Sequence, residues 1–307
     1  MVPGVRGQDR QTRRHALQDD LRQHGADDVV ASNIDAALAA LEPCGLHVLL
    51  TANAESAAFC WLTDYEVPSA IRVGPTPALL PALAELSDRA PVVGAIIDHL
   101  GADLFELGHL DLVEIGSVEG EDLSTDRHVG GNQDSYQQWV NTVYERNADL
   151  IAKHVSEHAE RARARVVVLT GTHNEVASVE QRLGNHRFAV STVNAGDRND
   201  KAAPGRLDEA AREAALTERS RRRNEAVEKL AQELGQHDLA VAGYDETVKA
   251  ISESRVETLF IDPGKLDEGS DADSLARDAL LFGGGVVVAP DLQSADGVAG
   301  LLRFKST

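Results

Sequence analysis

The chain has 307 residues, 42% hydrophobic and 26% charged, the balance of a globular protein with room for two or three domains and a substantial core. Lys and Arg total 30 against 50 Asp and Glu, a formal net charge of −20, which argues against non-specific wrapping of nucleic acid but allows docking through one local basic patch. Cys44 and Cys60 are the only cysteines, with neither CxxC spacing nor a disulfide framework; with a polar, basic Met1–Arg14 and no run of membrane-spanning length, a soluble cytoplasmic protein without structural zinc is expected.

Taken in order, Arg13 to Gln23 and Asp28 to Leu41 show apolar residues at helical spacing, split by His24-Gly25-Ala26 and stopped at Pro43 and Gly45. His47 to Thr51, Ala57 to Leu62 and Ala70 to Val73 read as short strands, and Pro77 to Leu86 as a small helix. Residues 1–88 therefore form a reduced α+β N-terminal domain that is strand-poor for its length and leans on the rest of the chain. From Pro91 three strand candidates come in close succession, Val92 to Asp98, Asp103 to Gly108 and Leu110 to Gly116, joined tightly enough to imply an antiparallel meander. After a polar stretch, Glu119 to Gly131, a helix is expected over Ser135 to Ala162, then a strand (Arg165 to Thr170), a helix (His173 to Leu183) and a strand (Phe188 to Val193). Three antiparallel strands followed by α-β-α-β is the order of an RNase H-like domain, assigned to 89–200.

Asn194 to Gly205 reads as a linker, and Arg206 to Leu234 as a long connecting helix (201–234) ended by Gly235. Helices over Tyr244 to Ser252 and Ala272 to Phe282 then alternate with short strands over Leu239 to Ala242, Val256 to Ile261, Gly285 to Ala289 and Gly300 to Lys305. Residues 235–307 are thus expected as an α/β sandwich, and the chain as a whole as α/β.

Several patterns bear on chemistry. Asp126-Arg127-His128-Val129-Gly130-Gly131-Asn132-Gln133 combines two glycines, which allow close backbone approach, with amide donors and acceptors at its tip. Its plainer reading is a Gly-rich connection with Asp134 or Ser135 capping the next helix. His154-Val155-Ser156-Glu157-His158 matches H-x-x-E-H, which puts two imidazoles one helical turn apart, but no third zinc ligand is evident. Asp98, Glu106 and Asp111 are the acids that a metal-dependent RNase of this fold would need to bring together. Val166 to Thr172 leads into a helix as a phosphate site would, without either phosphate-loop glycine pattern, so no cofactor is expected. Arg219, Arg221, Arg222 and Arg223 form the densest basic cluster and the best candidate for RNA contact.

Together these features resemble the archaeo-eukaryotic class-1 release factor and Pelota superfamily in its bacterial branch. The residues that carry the resemblance are Ala95-Ile96-Ile97-Asp98-His99 with Gly101-Ala102-Asp103-Leu104, and Gly130-Gly131-Asn132-Gln133 before the long helix. Arg221-Arg222-Arg223, Val256 to Ile261 and Asp296 to Phe304 come after, so that the likeness runs from about Pro91 to Lys305. It implies an RNase H-like middle domain and a C-terminal domain of the kink-turn-binding ribosomal protein type. It also implies a loop, Arg127, His128, Gly130, Gly131, Asn132 and Gln133, that enters the ribosomal peptidyl-transferase centre, where Gln133 would be the catalytic residue of a peptidyl-tRNA hydrolase. Asn132 separates Gly131 from Gln133 and displaces the amide by one residue. Misplacement near one ångström costs on the order of a hundredfold in rate. The resemblance accordingly implies A-site binding in hibernation or rescue, as for Pelota-like and Balon-type factors, over peptide release, and no stop-codon reading, because residues 1–88 lack the codon-reading motifs. The implied partners are the bacterial ribosome with its rRNA, with peptidyl-tRNA and a translational GTPase as further candidates, and no membrane.

Overall fold

A computed structural model describes residues 7–41, 47–62, 71–74, 76–87, 90–108, 111–122, 133–184, 187–236, 238–266, 271–290, 292–294 and 296–305. The chain gathers into two compact units, one of residues 89–221 and one of residues 1–88 with 222–307.

The first unit is built on β3 (Val92–Ile97), β4 (Gly101–Leu107), β5 (Leu112–Glu119), β6 (Val166–Gly171) and β7 (Ala189–Val193), in sheet order β5-β4-β3-β6-β7. β3, β4 and β5 form the antiparallel meander, while β6 and β7 add in parallel to β3. A parallel addition needs a crossover, supplied by α4 (Gln133–Ala162) and α5 (His173–Leu183). β3 is buried along its whole length because both faces are covered. Val93, Ala95 and Ile97 join Ala148, Ile151, Val155 and Ala159 of α4, whose spacing makes one helical stripe. On the other face Val92 and Ile96 meet Ala203, Leu207 and Ala211 of α6 (Ala203–Gln236). Gly94 makes that contact possible, since a Cβ there would lie 3.0 Å from Leu207 Cδ2. Gly171 ends β6 where a Cβ would fall 2.3 Å from the Ile97 carbonyl oxygen, so β3 and β6 close up only around a glycine.

In the second unit, β8 (Ala240–Ala242), β9 (Val256–Ile261), β10 (Gly285–Val288) and β11 (Val298–Leu302) form a sheet in the order β10-β9-β11-β8. α7 (Tyr244–Ser252) and α8 (Ala272–Leu281) share one core with Val256, Leu259 and Ile261. Leu230 of α6 packs with Phe260, Ala299 and Leu301 in another. Alternate residues of β9 thus feed two cores, which makes the α/β sandwich expected of the C-terminal region. Gly283, at φ 75°, lies just beyond α8, and the amides of Gly283 and Gly284 satisfy the carbonyls of Leu280 and Ala279.

The N-terminal elements of this unit are α1 (Gly7–Gln23), α2 (Asp28–Ala40), the hairpin β1 (His47–Ala52) and β2 (Ala57–Leu62), and α3 (Leu80–Ser87). Asp27 caps α2 by accepting from the Val30 amide at 2.8 Å, and Arg14 of α1 makes a two-pronged ion pair with Asp35 of α2. Leu80 and Leu83 of α3 pack on the core of α7 and α8. Asp273 fixes that docking: its Oδ1 accepts from the Leu79 and Leu80 amides at 2.6 and 2.9 Å, while Oδ2 pairs with Arg72.

Two expectations are corrected. The strand over Ala70 to Val73 does not form; Ile71 to Val73 have no regular structure, and Arg72 lies between them to reach Asp271 and Asp273. Gly235 does not stop α6, which runs on to Gln236.

Candidate functional site

The Gly-Gly-Asn-Gln stretch lies in sequence between β5 and α4. Arg127, His128, Gly130, Gly131 and Asn132 fall outside the described residues; Gln133 is the first residue of α4, and its side chain is likewise outside them. The structure does describe the stem by which β5 leaves the sheet. Asn147, buried on α4, donates from Nδ2 to the carbonyls of His99 and Glu121 at 2.9 and 3.0 Å, and its Oδ1 accepts from the Glu121 amide at 2.8 Å. Three of the four hydrogen-bonding capacities of that amide are therefore spent on fixing the stem to α4 and to the β3–β4 turn. Gly120 lies against it so closely that a Cβ would stand 2.1 Å from Asn147 Oδ1. On α4, the Tyr136 and Trp139 rings pack at 5.9 Å between centroids, with Tyr136 exposed.

Asp98, Glu106 and Asp111 do not converge. Asp98 stands just after β3, whereas Glu106 stands opposite Val93 near the other end of that strand, and Asp111 sits in the turn that enters β5. A different set forms instead: Asp98, Asp103 and Glu119 surround Arg198, which lies beyond β7. Alternation along β4 puts Asp103 and Glu106 on opposite faces, so only the former can reach this cluster. Arg198 Nε donates to Asp103 Oδ1 at 3.1 Å, Nη1 to Glu119 Oε2 at 3.2 Å, and Nη2 to Glu119 Oε1; Asp98 Oδ1 stands 3.5 Å from Nη1. Asp98 Oδ1 also accepts from the amides of Leu100 and Gly101, each at 2.8 Å. The guanidinium holds the Glu119 carboxyl below the usual carboxylate range, mainly through that hydrogen bond, and its own pKa is raised in turn, Glu119 again the largest cause. A positive side chain thus occupies the place where clustered acids would meet a cation. Sequence reading missed Arg198 because it stands in what resembled a linker, 79 to 100 residues from its partners. The one available signal was an arginine placed just after a strand that was already assigned to the sheet.

His154 and His158 both lie on α4, and burial, followed by the charge of Arg161, pushes the His158 pKa below its ordinary value. A group of three His, Cys, Asp or Glu side chains able to hold a metal is absent among the described residues. Thr172 caps α5 without a side-chain hydrogen bond, and Gly171 serves the β3–β6 approach described above. Arg219, Arg221, Arg222 and Arg223 lie within α6. Arg221 grips Glu218 through two bonds of 2.7 Å, so part of its charge is spent on its own helix. Positions 219, 222 and 223 fall at i, i+3 and i+4 and share a face, from which 221 is turned away.

An RNase H-like unit followed in the chain by one long helix and an α/β sandwich is a fold order shared with archaeal Pelota. Residues 91–236 match the model of the family described as Bacterial archaeo-eukaryotic release factor family 2, and this part of the chain is similar to that family. The protein pelota homolog of Methanocaldococcus jannaschii is 24% identical over 234 residues, covering 72% of this chain and 63% of that protein. This chain therefore spans less than two thirds of the length of that relative. The structure of ribosome-bound archaeal Pelota with ABCE1 superposes with a TM-score of 0.50 at 17% identity, over 72% of this chain and 63% of the other. Pelota of Archaeoglobus fulgidus gives a TM-score of 0.40 at 19% identity, over 74% and 69%. Among the described residues no helix is long and apolar enough to cross a membrane.

Proposed function

We propose that this protein is a release-factor-like translation factor that binds the A site of the bacterial ribosome during hibernation or rescue, without reading a stop codon. The observation that carries this reading is the family match over residues 91–236, which takes in the Gly130-Gly131-Asn132-Gln133 stretch at the entrance of α4. The archaeal Pelota described as ribosome-bound, which shares this fold, supports it. The loop of Arg127, His128, Gly130, Gly131, Asn132 and Gln133 would lie near the peptidyl-tRNA end, and the face of α6 bearing Arg219, Arg222 and Arg223 would contact rRNA phosphates. Domain limits of 1–88, 89–200, 201–234 and 235–307 belong to the same proposal, as does delivery by a translational GTPase.

Purified protein should co-sediment with ribosomes from growing or starved bacteria, and its failure to do so with either would sink the proposal. Replacing Arg222 and Arg223 by Ala should weaken that association and lower its salt dependence by roughly one unit of log–log slope per lost phosphate contact. The position of Gln133 as the first residue of α4 keeps a second reading open, peptidyl-tRNA hydrolysis. Release of peptide from loaded ribosomes by the wild type, lost in Gln133→Ala, would establish it. The metal-dependent RNase reading loses its footing, because Asp98 and Asp103 are held by Arg198 and Glu106 lies on the opposite face of β4.

A further inference from the structure

Arg161, Arg163 and Arg165 stand in alternation where α4 ends and β6 begins, all exposed and all within the unit of residues 89–221. Arg187 is exposed just before β7, and the Ala189 amide of that strand donates to the Arg165 carbonyl at 2.8 Å, so all four belong to one end of the sheet. Arg14, Arg182 and Arg198 each hold a carboxylate, whereas none of these four is paired with one among the described residues. Glu160 is the one acid between Ala159 and Arg165. A chain with 50 acidic side chains could neutralise such a group from within, and it does not. The backbone supplies an independent observation at the centre of the group. Arg163 closes α4 with φ 53°, its amide donating to the Glu160 carbonyl at 3.1 Å and the Ala164 amide to the Ala159 carbonyl at 2.7 Å. Helices usually place glycine in this left-handed turn, because a Cβ is strained there. Where the backbone favours glycine and an arginine stands instead, the side chain has a use that outweighs the strain.

The make-up of this surface narrows its partner. Among the described residues, no exposed large apolar side chain lies between 157 and 165 or between 187 and 189. The centre of a protein–protein interface needs such side chains, whereas a nucleic-acid interface is polar and strongly positive. The cations are arginines, whose planar forks match pairs of phosphate oxygens. We propose that Arg161, Arg163 and Arg165, with Arg187 beside them, form a binding surface for the phosphate backbone of RNA. It is separate from the arginines of α6 and from the Gly-Gly-Asn-Gln stretch: α4 has 30 residues, so the surface stands about 45 Å along that helix from Gln133. A protein seated on a ribosome would then meet rRNA at this end of the unit as well as at the loop. The inference deepens the ribosome-binding reading and rests on it for the source of the RNA.

Two measurements on the full-length protein test it, fluorescence anisotropy with a short labelled RNA duplex and co-sedimentation with ribosomes. Each phosphate contact costs about 3.5-fold in affinity as salt rises from about 50 to about 200 mM. Over that range the wild type should therefore lose about 40-fold more affinity for the duplex than a variant carrying Arg161→Gln, Arg163→Gln and Arg165→Gln together. Arg163→Gly is the sharper single change. Relieved of the left-handed strain, it should unfold at or above the wild-type temperature while binding the duplex about three- to tenfold more weakly. A purely structural role for Arg163 would move the unfolding temperature and leave binding where it was. Equal binding of the duplex by wild type and the triple variant, or no binding by either, overturns the proposal whatever the ribosomes do. Tighter binding of a polyglutamate peptide than of the duplex also overturns it and gives the surface to an acidic protein. Failure of the wild type itself to co-sediment with ribosomes, with the duplex still bound through the arginines, would instead count against the A-site reading alone.

Discussion

Replacing Arg198 by Ala tests the electrostatic centre of the 89–221 unit. The substitution leaves Asp98, whose side chain is only 12% exposed, and Asp103, at 28%, without the cation that both approach. Removing one partner of a fully buried ion pair costs about 3–5 kcal/mol. Here Glu119 is 58% exposed, so water screens part of the loss and about 2–4 kcal/mol is the expected cost. For a unit of this size that lowers the melting temperature on the order of 6–12 °C. The cost also has a pH signature. Glu119 titrates below its ordinary value of 4.5 because Arg198 holds its ionised form, so its contribution is complete above that value and disappears as pH falls through the lower folded pKa. Wild type and Arg198→Ala should therefore differ most near neutrality and converge under acid conditions, and Asp103→Asn should recover part of the loss in the Arg198→Ala background. Urea unfolding at several pH values measures the difference, and hydrogen exchange locates it at β4 and β5. A deficit below about 0.5 kcal/mol at neutral pH, in the range of an ordinary surface substitution, or one that grows on acidification, refutes this account of the cluster.

Asn147→Ala removes two hydrogen bonds to the stem at Glu121 and one to the His99 carbonyl and should cost about 2–3 kcal/mol, read as faster amide exchange at Glu121. Gly171→Ala puts a methyl group 2.3 Å from the Ile97 oxygen and should destabilise the unit by at least about 2 kcal/mol in chemical unfolding, through forced separation of β3 from β6. Asp273→Asn keeps the shape but weakens the ion pair to Arg72 and the bonds from Leu79 and Leu80; limited proteolysis should then cut more readily between residues 71 and 87. Arg14 holds the Asp35 carboxyl below its ordinary value, through a hydrogen bond first and charge second, so contact between α1 and α2 should loosen as pH falls through that lowered pKa, which circular dichroism and exchange at α2 would track.

Local periodicity is the part of this fold that is legible in the sequence. α5, α7 and β9 fall where the spacing of apolar residues puts them, and the meander followed by α-β-α-β emerges in order, since each element carries its own pattern. The failures are non-local. Ala70 to Val73 has the composition of a strand but finds no ladder, and Arg72 instead serves Asp273, 201 residues away. Asp98, Glu106 and Asp111 form a group only by closeness in sequence, while β-strand alternation sends Glu106 to the face opposite Asp103 and the sheet brings in Glu119. Arg198 and Asn147 carry no motif at all. Their roles exist only once β7 has delivered the first to the end of the sheet and α4 has laid the second beside the β5 stem.

Those two residues bear on how an RNase H-like frame can carry a loop. In a frame of this kind the ends of β3, β4 and β5 converge, and acids gathered there repel one another unless a cation intervenes. Here the cation is covalently part of the chain. Arg198 joins Asp98 of the β3 end, Asp103 of β4 and Glu119 of β5, and so fixes all three strands at the edge from which the segment to α4 departs. Asn147 fixes the next two residues along that segment through Gly120 and Glu121. Each anchor spends its hydrogen-bonding capacity on the stem, which leaves little for chemistry at the acids themselves. Of the acids that would have signalled a nuclease only Asp98 belongs to this cluster, where with Asp103 and Glu119 it ties the strand ends together around Arg198. Arg198→Ala and Gln133→Ala should therefore separate cleanly, the first altering stability and exchange near the stem and the second leaving both intact.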